Sequence, residues 1–322
     1  MKALLPLKSV VENEIDRLDL PDSPNNLYDP WRYFLKLGGK RIRPILTILA
    51  GQLFDLEIDS IKNKAIAMEL FHNFTLMHDD IMDEAPLRRN QETVHKRWGT
   101  NIGILSGDAL LIKSYQYLIK DEHPNNTKIL NLFNRIALEV CEGQQMDIDF
   151  ETLDTVAEEE YIEMIRLKTA VLIGCSLEIG ALTAESSEED ATHLYKFGEN
   201  IGIAFQLQDD YLDAFSDTAS FGKQIGGDIL ANKKTYLLIR AIEKSNEEQR
   251  EAIFNCFDIK NPTLKVEIML NLYRELKIVD DVQEKMNVYY KKAITHLNAV
   301  SLQNKTTDTL KNIAKYFLKR IE

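Results

Sequence analysis

The chain has 322 residues, 44% hydrophobic and 28% charged, with a formal net charge of −12 at neutral pH. That composition is ordinary for a globular protein long enough to bury a sizeable core, and its acidity excludes a general nucleic-acid binder, whose footprint would be basic. Three widely spaced cysteines (Cys141, Cys175, Cys256) form no ligand pattern, Pro6 interrupts the apolar start that a signal peptide needs, and the longest apolar run, Ala170 to Leu182, is too short to span a bilayer. A cytoplasmic chain in a reducing compartment, with no transmembrane segment, is expected.

No glycine follows Gly227 and no proline lies between Pro124 and Pro262. Stretches of that kind, rich in Leu, Ile, Ala, Glu and Lys, predict long helices, and no strand-type alternation is sustained. Connectors are predicted at 21–30, 84–101, 121–127, 184–190, 216–228 and 258–262, leaving about ten to twelve helices between them. No linker or compositional shift separates two domains. The expected fold is all-α: one large helical bundle over residues 1–322 with a central cavity.

The first chemistry in chain order is Gly38-Gly39-Lys40-Arg41-Ile42-Arg43-Pro44. The glycine pair marks a turn where backbone approaches a ligand, and Pro44 suits the first turn of the next helix. The cations therefore sit near a helix N-terminus, where anions are favoured, as either a diphosphate clamp or a solvated basic loop.

A helix is predicted from Asp59 to about Glu84, ended by Pro86. It carries Asp79-Asp80-Ile81-Met82-Asp83, so Asp79 and Asp83 stand one turn apart on one face. Like charges at that spacing repel by ~0.2–0.5 kcal/mol, a cost that calls for a cation in front of them. His72 shares the face two turns upstream, as packing or as a contact, and Phe74 and Thr75 lie just below the carboxylates. Arg88 and Arg89 follow in the loop, either as an internal ion-pair network or as groups sharing one polyanion with metals.

Further on, Lys168 and Thr169 sit in an apolar helix running to about Leu182, where the lysine either snorkels to the surface or faces a polar cavity. Gly198 and Gly202, one turn apart, suggest close helix approach. That helix continues through Phe205-Gln206-Leu207-Gln208 into Asp209-Asp210-Tyr211-Leu212-Asp213, a second Asp-Asp-x-x-Asp. Two such clusters arise by chance in about one chain in a hundred. Phe221-Gly222-Lys223, Gly226-Gly227-Asp228 and then Lys233, Lys234 and Thr235 follow, so each cluster is trailed by cations. Residues 243–322 offer no readable chemistry and are assigned to packing or a lid.

Carboxylate clusters with cations at their rim suit a metal-bound diphosphate, because Mg²⁺ takes a few carboxylates together with phosphate oxygens. Zinc spacing, a nucleophile elbow, a P-loop and a dinucleotide fingerprint are all absent from the sequence. What remains is departure of a diphosphate leaving group whose developing charge is neutralised by metals and cations.

Taken together these motifs, spanning roughly residues 38–235, resemble the trans-isoprenyl diphosphate synthases of the polyprenyl synthetase family. The resemblance implies a homodimer of all-helical subunits that condenses isopentenyl diphosphate with dimethylallyl, geranyl or farnesyl diphosphate. It implies that Lys40, Arg43 and His72 hold the isopentenyl diphosphate, with Arg89 closing on it. Asp79, Asp83 and Asp209 would ligate Mg²⁺, with Asp80, Asp210 and Asp213 supporting them in the metal site. Arg88, Lys168, Lys223 and Lys233 would cage the allylic diphosphate, and Thr169 and Gln206 would turn oxygens toward the allylic cation.

The residues five and four before the first aspartate help form the floor of the chain-elongation pocket in this family; here they are Phe74 and Thr75. One bulky floor residue, with only two residues between Asp80 and Asp83, resembles the archaeal-type geranylgeranyl synthases. A twenty-carbon product is expected, with fifteen carbons next. A terpene cyclase or head-to-head prenyl synthase would need no isopentenyl clamp, and a non-catalytic regulatory subunit would have lost metal aspartates. The intact clamp and both complete clusters argue against these alternatives.

Overall fold

Glycine, proline and left-handed residues cut the chain into helices with short joints. The computed structural model describes residues 4–215 and 226–318. In order, these form α1 (Leu5–Asp16), α2 (Asn25–Lys36), α3 (Ile42–Leu53) and α4 (Ile58–Met82). A small hairpin, β1 (Leu87–Arg88) and β2 (Gln91–Glu92), then leads to α5 (Val94–Trp98), α6 (Thr100–Leu118), α7 (Asn126–Glu151) and α8 (Glu158–Ile165). A π-helical turn, Arg166–Ala170, joins α8 to α9 (Val171–Thr183), and α10 (Glu188–Phe215) follows. The remainder is α11 (Gly227–Leu230), α12 (Tyr236–Lys244), α13 (Glu247–Phe257), α14 (Pro262–Glu275), α15 (Ile278–Ala299) and α16 (Lys305–Leu318). The fold is all-α, as expected. Among the described residues no helix is long and apolar enough to cross a membrane.

Three local expectations are corrected. The 21–30 connector is shorter than predicted, because α2 starts at Asn25 and carries Pro30 inside it. The hydrogen bond that the proline forfeits is offset by burial of Trp31, Phe34 and Leu35, with Trp31 Nε1 donating to the Ser106 carbonyl at 2.7 Å. The 84–101 connector contains a β-hairpin, although its tip, Arg89-Asn90, lacks the glycine that normally signals one. Third, Lys168 lies in a π turn rather than in an uninterrupted α-helix.

The chain forms two compact units. One comprises Met1–Phe133, Cys175–Leu194 and Ser301–Thr307; the other comprises Asn134–Gly174, Tyr195–Val300 and Asp308–Glu322. In the first, α4 is the spine, burying Ala65, Met68, Leu70, Phe71 and Met77. α6 packs closely on its C-terminal half through two glycines. A Cβ at Gly103 would lie 2.9 Å from Ile81 Cδ1, and one at Gly107 would lie 2.2 Å from His78 Nε2. The helix stops abruptly: Glu84 adopts φ +49°, its N–H bonds to Ile81 O, and Ala85 N–H bonds to Asp80 O. This is a Schellman stop, followed by Pro86, and it ends the helix immediately beyond Asp83.

In the second unit, α8 and α10–α15 bury a continuous core that includes Leu207, Ala214, Tyr236, Leu238, Ile253, Met269 and Val282. The π turn is pressed between two glycines. A Cβ at Gly143 would lie 2.2 Å from the Lys168 main-chain nitrogen, and one at Gly202 would lie 2.6 Å from Ala170 Cα. Close helix approach at Gly202 therefore holds. Extra residues of the π type are a common way to re-aim side chains at functional sites.

Candidate active site

The basic turn is built on strained backbone. Gly38 and Gly39 have φ of +76° and +153°, and Arg41 is left-handed at +52° just before α3 begins at Ile42. Pro44 falls in the first turn of that helix, so the cations do sit at a helix N-terminus. The three cations have different fates. Lys40 is exposed. Arg41 is buried: Nη1 reaches Glu69 Oε1 at 2.6 Å and Nη2 reaches the Leu35 carbonyl at 2.7 Å. Glu69 also accepts from Asn73 Nδ2 at 3.0 Å, so Arg41 is the rivet that fixes the turn to α4.

Arg43 instead points to His72, donating through Nη1 to Nε2 at 3.0 Å. Burial brings the Arg43 guanidinium down to about 10, with Glu69 opposing, so it remains charged at neutral pH. Burial also holds the His72 imidazole well below its usual range, and the surrounding Arg43, Arg89, Arg88 and Arg41 push the same way. His72 is therefore neutral. With Nε2 accepting, its proton resides on Nδ1, a buried donor with no hydrogen-bond partner among the described residues.

The hairpin after α4 returns two arginines to this region. Leu87 pairs with Glu92 and Arg88 with Gln91, and the tip residues Arg89 and Asn90 have φ of +53° and +61°. A two-residue tip with both residues left-handed has the twist that closes a tight hairpin, and without glycine it carries strain. Its base is tied by Thr93 Oγ1 to the Ala85 carbonyl (2.7 Å) and by Tyr33 OH to the Glu92 carbonyl (2.7 Å). The outcome is that the Arg89 guanidinium lies over Gly39: a Cβ at Gly39 would be 2.9 Å from its Nη2. Arg43, His72 and Arg89, expected together, are brought together.

Arg88 turns the other way. Its Nε lies 2.8 Å from both oxygens of Asp80, which is 2% exposed, and its Nη2 lies 3.4 Å from Asp79 Oδ2. Burial raises the Asp80 carboxyl, and the Arg88 bond opposes that rise. The internal ion pair that the loop composition left open is thus present. Asp79 is half-buried and Asp83 exposed, one turn apart at the end of the helix. Thr75 shares their face and bonds back to the His72 carbonyl at 2.9 Å. Phe74 lies on the neighbouring face, with its ring 4.8 Å from His78 and 5.6 Å from Phe71.

The second unit repeats the logic with different partners. In Asp209-Asp210-x-x-Asp213, Asp209 is half-buried, whereas Asp210 is 4% exposed and accepts the Tyr161 hydroxyl and Gln206 Nε2 (3.3 Å). Burial and the neighbouring Asp228 push the Asp210 carboxyl well above its usual range. Asp213 is engaged by the turn that follows: its carbonyl accepts from Gly226 N–H (2.8 Å) and its Oδ2 from Asp228 N–H (2.9 Å). In both clusters the second aspartate is buried and bonded, and the first is half-buried.

Beside Asp210 is an open pocket lined by Asp147, Lys168, Thr169, Gln206, Asp228 and Lys233, among others. The π turn aims Lys168 at Asp147, Nζ to Oδ2 2.5 Å, and Thr169 Oγ1 donates to Gln206 Oε1 at 3.3 Å. Lys168, Thr169, Gln206 and Lys233 are thus gathered as expected, and Lys168 faces a polar cavity rather than snorkelling. Lys223 lies outside the described residues. Asp147, Tyr161 and the Arg41–Glu69 pair were not singled out from sequence. The one available signal was Asp147 standing one turn beyond Gly143 on α7, the same face that seats the π turn.

The polyprenyl synthetase family profile matches residues 24–276. The chain is 41% identical over 240 residues to a geranylgeranyl pyrophosphate synthase of Geoglobus acetivorans, covering 74% of this chain and 75% of that one. Among solved structures, a geranylgeranyl pyrophosphate synthase aligns with a TM-score of 0.94 at 40% identity, covering 98% of both chains. A geranylgeranyl pyrophosphate synthase from Corynebacterium glutamicum, complexed with isoprenyl diphosphate and magnesium, aligns with a TM-score of 0.88 at 25% identity over 97% of this chain and 98% of that one.

Proposed function

The chain belongs to the polyprenyl synthetase family, and from that premise we propose a short-chain trans-prenyl diphosphate synthase. It joins isopentenyl diphosphate head to tail to an allylic diphosphate, releases diphosphate, and makes a geranylgeranyl product, with farnesyl the next choice. The observation that supports this reading is the parallel between the clusters: Asp80 is bonded by Arg88 and Asp210 by Tyr161, both buried, while Asp79 and Asp209 beside them are half-buried. Residues 1–322 serve as one catalytic domain in the cytoplasm.

By donor type these carboxylates suit Mg²⁺. Asp79, Asp83 and Asp209 offer hard carboxylate oxygens, with Asp80 and Asp213 supporting them, few enough to leave room for waters and phosphate oxygens. Bound there, Mg²⁺ would neutralise charge developing on the departing diphosphate.

Lys168, Lys233, Lys223 and Arg88 are assigned to hold the allylic diphosphate by charge. Thr169 and Gln206 aim oxygens at the allylic carbon as the bond to diphosphate breaks; Thr169 donates to the Gln206 oxygen, which fixes the direction of that amide. Lys40, Arg43 and Arg89 grip isopentenyl diphosphate, and the His72 Nδ1 proton is a neutral donor beside Arg43. The double bond of isopentenyl diphosphate attacks the allylic cation, and a proton then passes to the released diphosphate. Holding both substrates together away from water keeps the cation from being hydrolysed.

Phe74 sets the floor for the growing chain, its ring backed by His78 and Phe71. A homodimer is supported by α6, which leaves Leu105 60% and Ile112 61% exposed on one face. Chromatography of products from isopentenyl diphosphate with dimethylallyl, geranyl and farnesyl diphosphate in turn tests the reading. A twenty-carbon alcohol after dephosphorylation is expected, and no acid-labile product with any primer would overturn it.

A further inference from the structure

In the last third of the chain, α14 holds a lysine that is 4% exposed, Lys265. Its Nζ donates to the main-chain carbonyls of Leu230 and Phe257, both at 3.2 Å. These are the final residues of α11 and α13, and the carbonyls at a helix end have no acceptor role left within the helix. A buried amine is costly unless its donors are used, so this lysine is placed where two helix ends need it. The next residue, Val266, seats on Gly226, where a Cβ would lie 2.8 Å from Val266 Cγ2. Hence α14 grips the short α11 turn at both ends.

That turn belongs to the pocket. Asp213 holds its start through Gly226 N–H and Asp228 N–H. From its far end the chain runs to Lys233, whose N–H bonds the Asp228 carbonyl at 3.0 Å. Asp228 and Lys233 both line the pocket that holds Lys168. Asp213 alone fixes only the entry to the turn; Lys265 fixes its exit, the side from which Lys233 is projected.

We propose that Lys265 is a positioning residue for Lys233 and Asp228, setting affinity for the allylic diphosphate without touching it. This rests on the reading of Lys233 as a ligand of that diphosphate. Removing the Nζ donors frees the Leu230 carbonyl and lets the turn shift, and a misplacement of an ångström is enough to be felt in binding or rate. The isopentenyl diphosphate groups are not carried by this turn, so the effect is selective.

Steady-state kinetics of Lys265→Met, with wild type and Lys233→Ala alongside, tests this. Lys265→Met should raise KM for the allylic diphosphate about ten-fold and leave KM for isopentenyl diphosphate within about two-fold. Lys265→Gln, which keeps an N–H for one carbonyl, should recover part of the loss. An unchanged allylic KM, or a lower kcat with both KM values unchanged, would overturn the proposal, since a merely structural lysine reduces only the active fraction. If Lys265→Met does not fold, Val266→Ala loosens the same turn with the lysine in place and carries the same expectation. An inactive wild type, or an unchanged allylic KM in Lys233→Ala, would instead overturn the reading of the pocket on which the proposal stands.

Discussion

Arg88 Nε sits 2.8 Å from each carboxylate oxygen of Asp80, sealing one aspartate of the first cluster, while its Nη2 lies 3.4 Å from Asp79 Oδ2. Asp80 is 2% exposed, so removing the arginine leaves a buried, unpaired carboxylate. Arg88→Ala should destabilise the fold by about 2 kcal/mol, less than a fully buried pair because Arg88 itself is partly solvated. Asp80→Asn added to it should recover part of that loss. Denaturant unfolding of the single and double variants measures both; additive losses would contradict a coupled pair.

Gly39 leaves the space that the Arg89 guanidinium occupies, 2.9 Å from where a Cβ would be, and its φ of +153° disfavours any side chain. Gly39→Ala should displace Arg89 and raise KM for isopentenyl diphosphate about ten-fold, with the allylic KM unchanged. Equal shifts in both constants would show that the turn serves the fold rather than one substrate.

Part of this was readable in the sequence. A helix from Asp59 to about Glu84 is found as Ile58–Met82, because one long apolar pattern and one Pro86 settle where it ends. The aspartate clusters, the lysines and the basic turn are local patterns whose chemistry follows from residue type. What sequence left unread are partners from distant elements. Tyr161 is 49 positions from Asp210, and Glu69 is 28 from Arg41. Nothing in the spacing separates Arg41, which is consumed by the fold, from Arg43, which is not. The π turn escaped because Gly143 and Gly202 act on it from other helices, and Lys265 reads as one more surface lysine until its two carbonyls are seen.

The His72 imidazole titrates well below the usual 6.5, through burial first and then the nearby arginines. The folded protein therefore keeps His72 neutral where the unfolded chain takes up a proton. As pH falls below about 6.5 the unfolded state binds more protons, so the stability present above that value drains away toward the folded pKa. The urea midpoint should fall between about pH 7 and pH 5.5, and fall less in His72→Gln. Identical falls in the two proteins would mean that His72 is not a source of the pH dependence.

Phe74 sits between the His78 and Phe71 rings, so its side chain is held rather than loose. Phe74→Ala should lengthen the product by at least one five-carbon unit, seen as later elution of the dephosphorylated alcohols. An unchanged chain length would move the floor elsewhere.

The most direct test of the central claim is Mg²⁺-dependent turnover of labelled isopentenyl diphosphate by wild type, Asp79→Ala and Asp209→Ala. The two clusters are assigned to one reaction, so wild type should turn over only with Mg²⁺, and each variant should lose at least about a thousand-fold in rate. Near-full rate in either variant would contradict the assignment.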